Sequence, residues 1–223
     1  MTQTVLVIGA SRGIGLEFVR QYREAGRRVI ATVRDTPGRD RVQALGAEPI
    51  LLDVADPASV SGLSRQLAGE SFHVALYVAG VIRRPSALTP PTREDFDAVM
   101  HTNVLGAMQA LPQVAPQVAL AGGTFAFLSS TMSLIGSVPG SDSWLYRTSK
   151  AALNMAVAAA QHDHPQATLI TLDPGWVQTD MGGVGAALTP EASVRGMRAV
   201  LAGVTPADRG RLLHHDGRRA AHW

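Results

Sequence analysis

At 223 residues, with 46% hydrophobic and 17% charged side chains, the chain is long enough to bury a substantial core and too apolar to be disordered. A net charge of +2, arginines scattered without a dense basic run and only 5% aromatic residues argue against a nucleic-acid surface. Cysteine is absent, which excludes disulfides, iron–sulfur clusters and thiolate zinc sites and fits a reducing cytoplasm. No apolar run reaches the roughly 18 residues of a membrane span. "MTQTVLVIGA" lacks the charged start of a signal peptide. A cytoplasmic protein with no membrane partner is expected.

Taken in chain order, short β-branched runs alternate with stretches of helical spacing. "TVLVIG" predicts the first strand; "ASRGIG" follows it, and Ile14, Phe18 and Tyr22 begin a helix. Gly9, Gly13 and Gly15 thus occupy a strand–turn–helix junction, where glycines let the backbone approach a pyrophosphate and free N–H groups face it. Ser11, Arg12 and Ile14 share that loop. "RVIATV" predicts the second strand, aligned to end at Val33 and followed by Arg34. An acid at that end accepts ribose hydroxyls, whereas arginine pairs with a 2′-phosphate. Asp35 stands one place further on, so a shifted register would put a carboxylate there instead.

"EPILLD", "HVALYVAG", "GTFAFLSS" and "ATLITLDPG" predict four more strands, and a short one is expected around Arg211 to His214. Between them, Val60, Leu63 and Leu67 have helical spacing. In "MHTNVLGAMQALPQVAPQVAL" the helix is expected to kink or end at Pro112 and Pro116. Strands alternating with helices imply an α/β protein with a parallel sheet covered on both faces.

Lys150 is the only lysine in the chain. It lies four residues after Tyr146 in "YRTSK", within a strong helix former, so phenol and ammonium share a helix face. A neighbouring cation is expected to lower the tyrosine pKa from about 10 toward neutrality, fitting it for general acid–base work. Ser129 and Ser130 end the strand "GTFAFLSS" on the side where open parallel sheets bind ligands.

The spacing G-x-x-x-G-x-G, with the serine pair and Y-x-x-x-K following in order, resembles the short-chain dehydrogenase/reductase family, classical type, from Gly9 to about Thr179. "ATVRD", "YRTSKAALNM", "PGWVQTDMGG" and the terminal "DGRRAAHW" are similar to its C-factor-like subgroup. The resemblance implies a single Rossmann domain over residues 1–223, doubly wound, with a seven-stranded parallel sheet in the order 3-2-1-4-5-6-7. Its cofactor half spans about 1–120, and its catalytic and substrate half about 121–223.

The activity implied is hydride transfer between a nicotinamide cofactor and a small carbonyl or alcohol substrate. Ser130, Tyr146, Lys150 and Asn103 are implied as the catalytic set, with Asn103 holding a water on the proton path and Ser129 serving local backbone. Arg12 and Arg34 resemble members that prefer NADP(H) over NAD(H). Asp53 and Val54 are implied at the adenine, Ala79 and Gly80 beside the cofactor, and Pro174, Gly175, Val177 and Thr179 around the nicotinamide. A homodimer or homotetramer is implied, on the helix carrying Tyr146.

Three departures stand out. Tyr77-Val78-Ala79-Gly80 replaces the family's N-N-A-G, so a looser site is expected. Ser130 and Tyr146 are sixteen positions apart, so the intervening loop is expected to bulge, with Leu134 and Trp144 candidates to line the pocket. Only about ten residues separate Thr179 from a helix expected near Glu191, which implies an open site. The missing asparagines also keep open a dinucleotide-binding regulatory protein with little turnover, whereas a sugar-nucleotide epimerase needs a larger substrate domain. His162, His164, His214 and His215 lack zinc-like spacing, so no metal is expected. Arg83 and Arg84 read as a solvated loop in preference to a steering site for anions.

Overall fold

The computed structural model describes residues 3–221. Residues 1–2 of "MTQTVLVIGA" and 222–223 of "DGRRAAHW" lie outside it. Seven strands, β1 (Thr4–Ile8), β2 (Arg28–Val33), β3 (Glu48–Leu51), β4 (Val74–Tyr77), β5 (Thr124–Leu128), β6 (Thr168–Asp173) and β7 (Leu212–His214), form one sheet. Its order is β3-β2-β1-β4-β5-β6-β7, and every neighbouring pair is parallel. This is the doubly wound Rossmann arrangement. The order reverses between β1 and β4, where Val5 pairs with Val74 and Ile8 with Tyr77, opening a crevice at the strands' C-terminal ends.

Eight α-helices are described: α1 (Gly13–Glu24), α2 (Thr36–Ala44), α3 (Pro57–Val60), α4 (Leu63–Gln66), α5 (Arg93–Met100), α6 (Gly106–Leu120), α7 (Trp144–Ala160) and α8 (Pro190–Ala202). The two sheet faces bury separate cores. Phe18, Val42, Val194 and Met197 bring α1, α2 and α8 onto one. Val60, Leu63, Val114 and Leu153 bring α3, α4, α6 and α7 onto the other. Side-chain caps fix where α2, α5 and α8 begin: Asp35 accepts from Gly38 N (2.7 Å), Thr92 from Asp95 N (3.1 Å) and Thr189 from Ala192 N (3.2 Å).

Two helical expectations change. The Val60–Leu67 stretch forms two short helices that break at Ser61-Gly62, although Val60, Leu63 and Leu67 are all buried as the spacing implied. Pro112 and Pro116 do not end their helix; both lie inside α6. At i and i+4 they share an exposed strip, so water can satisfy the carbonyls of Met108 and Pro112 that lose a donor. Leu111, Val114, Ala115 and Val118 are buried on the opposite side and hold the helix to the sheet.

Candidate active site

The crevice is a cleft of about 430 Å³ lined from β2 and β5, the loops after β1, β3 and β4, the start of α1, the helix α7 and the segment after β6. At one end the glycine loop forms a cradle that side chains would fill. Gly9 has φ +92°, and a Cβ there would lie 2.6 Å from Ala79 N. A Cβ on Gly15 would lie 2.1 Å from the Gly9 carbonyl oxygen. Unlike α2, α5 and α8, helix α1 has no side-chain cap, and its first turn carries no acid. Its free N–H groups therefore meet the cleft with nothing of the protein's own to satisfy them, which fits a pyrophosphate.

Arginines stand at the part of the cleft beyond β2. Arg34 lines the cleft at the end of β2 and its backbone N–H reaches Ser11 Oγ (3.4 Å). The alternative carboxylate, Asp35, is occupied as the cap of α2. Arg41, from the last turn of α2, donates Nε to the Ser11 carbonyl (2.9 Å) and adds a third cation to Arg12 and Arg34. Asp53 lines the opposite wall and caps its own turn at Ala55 N (2.9 Å), next to Val54.

At the other end Tyr146 and Lys150 project from α7 into the cleft, each less than a tenth exposed. Lys150 Nζ donates to the Leu128 carbonyl (2.7 Å) and lies 5.7 Å from the centre of the Tyr146 ring. Burial brings the ammonium down to about 8. The phenol moves opposite to the expectation: burial, helped by the charge of Asp173, holds its pKa above the ordinary tyrosine value, with Ser130 as hydrogen-bond partner and Arg84 as a nearby cation pulling the other way. Desolvation outweighs the pull of Ser130 and Arg84. Tyr146 is accordingly protonated at neutral pH.

The serine pair divides its work differently from the expectation for Ser129. Ser129 Oγ donates to Asn154 Oδ1 (2.6 Å) on α7, so it locks strand to helix and does not serve local backbone. Ser130 Oγ accepts from Met132 N (3.1 Å) at the start of the expected bulge. That bulge is two 3₁₀ turns, Thr131–Ser133 and Ile135–Ser137. Leu134 and Trp144 are not among the residues lining the cleft, nor are Ser130, Asn103, Gly175 and Val177, although Ser129, Pro174 and Gln178 beside them are.

Asn103 occupies a π-turn, His101–Leu105, where Gly106 N bonds the His101 carbonyl. Its amide donates to the Val81 carbonyl (2.9 Å) and Ser149 Oγ (2.9 Å), and its oxygen accepts from Val81 N (2.8 Å). Asn103 thereby fixes the loop after Gly80 to α7. Tyr77 braces the same turn. Fully buried, its hydroxyl donates to the Thr102 carbonyl (2.8 Å) and rests over Gly106, where a Cβ would lie 2.6 Å away.

After β6, Gly175 turns the chain at φ +74° and Thr179 sits against Gly13. The buried Val177 forms a β-bridge with Leu188, and its carbonyl accepts from Thr179 Oγ1 (3.4 Å). The segment is short, and its residues are tied to the cleft's rim. Asp180 pairs with Arg12 across the cleft (2.5 Å), Arg84 donates to the Met181 carbonyl, and Trp176 Nε1 closes on the Gly182 carbonyl (2.9 Å).

Several contributors escaped sequence reading: Thr32, whose hydroxyl accepts from Gly9 N (3.0 Å), Arg41, Tyr77 and a buried pair beneath Ser130. In that pair Asp173 accepts from Thr131 N (3.1 Å) and lies 3.1 Å from His214 Nδ1. Only the helical position of Arg41, seven residues after Arg34, gave a signal that could have found it.

A doubly wound parallel sheet whose switch-point crevice joins a glycine cradle to a buried tyrosine–lysine pair defines a dinucleotide-dependent oxidoreductase. Residues 3–188 match the short chain dehydrogenase family, and the chain belongs to it. It is 29% identical to 1-hydroxy-2-glutathionyl-2-methyl-3-butene dehydrogenase of Rhodococcus sp. (strain AD45), over 96% of this chain and 97% of that one. Similarity to the C-signal of Myxococcus xanthus is 36% identity, over 62% of this chain and 86% of its relative. Among solved structures, a short-chain dehydrogenase/reductase of Burkholderia multivorans with bound NADP superposes with a TM-score of 0.87 at 28% identity, covering 100% of both chains.

Proposed function

We propose that the protein is an NADP(H)-dependent carbonyl reductase that interconverts a carbonyl and an alcohol, with Tyr146 as general acid and base. The observation that carries this reading is the buried Tyr146–Lys150 pair in the same cleft as the glycine cradle. The bound dinucleotide supplies the hydride. Gly9, Gly13 and Gly15 with the uncapped start of α1 take its pyrophosphate; Arg12, Arg34 and Arg41 favour a 2′-phosphate; Asp53, Val54, Ala79 and Gly80 border the adenosine side. Pro174, Gly175, Val177 and Thr179 shape the nicotinamide side. In reduction Tyr146 gives its proton to the carbonyl oxygen while Ser130 hydrogen-bonds the same oxygen. Lys150, protonated at neutral pH, holds the ribose hydroxyls and favours the phenolate left behind. Asn103 keeps Lys150 in register through Ser149, and a water at its turn returns the proton.

The same reading makes the chain one cytoplasmic domain of the C-factor-like subgroup, with the cofactor half ending near residue 120. Among the described residues no helix is long and apolar enough to cross a membrane. A homo-oligomer is proposed on the exposed apolar side chains of α5, α6 and α7: Phe96, Met108 and Met155. A regulatory protein of the same fold with little turnover is the second reading, favoured by Tyr77 and Val78 in place of two asparagines and by the likeness to the C-signal.

Oxidation of NADPH and, in parallel, NADH across a panel of aldehydes and ketones tests both. Wild-type turnover that prefers NADPH, with Tyr146→Phe lowering kcat by roughly 100-fold or more while NADPH binding is unchanged, is the expected result. Silence across the panel with NADPH still bound would favour the regulatory reading.

A further inference from the structure

Two adjacent arginines follow the β4 loop glycine, and the fold gives them different partners. Arg83 pairs with Asp95 in the first turn of α5 (2.5 Å). Arg84 has no acid within ion-pair distance among the described residues. Its guanidinium donates to the Met181 backbone carbonyl, and its own carbonyl accepts from Ser143 N (3.4 Å). Ser143 opens α7 three residues before Tyr146 and is the one described non-glycine residue in the left-handed region (φ 54°). Met181 and Tyr146 line the same cleft. Arg84 is therefore tied at one end to the start of the catalytic helix and at the other to the strap across the mouth.

Of the other ions near Tyr146, Lys150 donates to the Leu128 carbonyl and Asp173 faces His214. Arg12 holds Asp180, and Arg34 lines the far part of the cleft, after β2. Arg84 bears on the reacting group, since its charge favours the Tyr146 phenolate. A guanidinium engaged by one neutral carbonyl retains free donors in a planar fork that matches a carboxylate. Around it the walls are apolar: Val81 and Met181 line the cleft, and Ile135, Val138 and Trp176 stand exposed on the loops that flank it.

We infer that Arg84 binds a carboxylate on the substrate, so that, given the carbonyl chemistry proposed above, the substrates are oxo acids with an apolar remainder and the corresponding hydroxy acids. The arginine fixes the acid end beside Tyr146, and the apolar loops take the rest. Arg84 is then a specificity residue, separate from the groups that move the proton.

The test compares benzoylformate and 3-benzoylpropionate with their methyl esters as substrates for wild type and Arg84→Gln. Binding of the two acids to the protein saturated with NADP⁺ is measured by calorimetry alongside. The glutamine amide still offers a donor to the Met181 carbonyl, so the strap keeps its tie. Wild type is expected to prefer at least one acid over its ester, and the variant to lose roughly 10- to 100-fold of that preference, mainly through KM for the acid. Equal use of acids and esters by wild type, or an unchanged preference in the variant, overturns the carboxylate site and leaves the reductase reading standing. If neither acids nor esters turn over, calorimetry decides: acid binding weakened by Arg84→Gln supports the site, and absent or unweakened binding removes it.

Discussion

Lys150 carries a charge in a place where burial opposes it, and that cost has a pH signature. Its folded-state pKa is near 8 against 10.5 for the free side chain. Below about pH 8 both states are protonated, and the buried ammonium costs the folded state its full penalty. Between pH 8 and 10.5 the folded state releases the proton first and the penalty fades. Lys150→Met is therefore expected to raise unfolding stability by roughly 1–3 kcal/mol at pH 7, with the gain gone near pH 10.5, while reduction is lost. Urea denaturation at the two pH values reads this directly; equal gains at both would mean the effect is packing and not charge. The position of this residue was legible in sequence because an i, i+4 pair on a helix needs no tertiary information. The direction of the Tyr146 shift was not, because burial of the phenol and the nearby charge of Asp173, 27 positions away in sequence, arise only once the chain is folded.

At the scale of elements, α6 tolerates two prolines because its exposed strip and its packed face are separable. Pro116→Ala restores an N–H opposite the Pro112 carbonyl and removes a helix-interior proline, so stability is expected to rise by about 1–3 kcal/mol in urea titrations, with NADPH binding unaltered. No gain would show that the freed carbonyl is already well satisfied. Strands were readable as apolar runs, and the glycine loop by its place after the first of them. The π-turn at Asn103 was not, since no local pattern marks one extra residue per turn. The exchange of asparagines at Tyr77 was legible, but not its contact with Thr102, for which Gly106 leaves room at the start of α6. The Asp173–His214 pair joins positions 41 apart in sequence, which only the β6–β7 register brings together.

For the whole molecule, the sheet order follows from alternation and handedness, and it places the cleft at the β1–β4 reversal without reference to any single side chain. What alternation does not reveal is which outer face meets another copy. Phe96, Met108 and Met155 are 44%, 53% and 70% exposed on helices of the same side of the sheet. Sedimentation is expected to show a dimer or tetramer at micromolar concentration, with Met155→Glu shifting it toward monomer. A wild-type monomer across the concentration range would remove that face from consideration.

The same molecule has only one ε-amine, and it lies deep in the cleft. Apart from the N-terminal amine, every other cation is a guanidinium that amine acylation leaves untouched. An acylating reagent thus meets a protein with a built-in single address, and its progress there reports how often the crevice is accessible. A ligand seated over Lys150 shields the whole chain's supply of side-chain amines at once. Occupancy can then be counted as mass left unadded, without an optical probe, a tag or knowledge of the substrate.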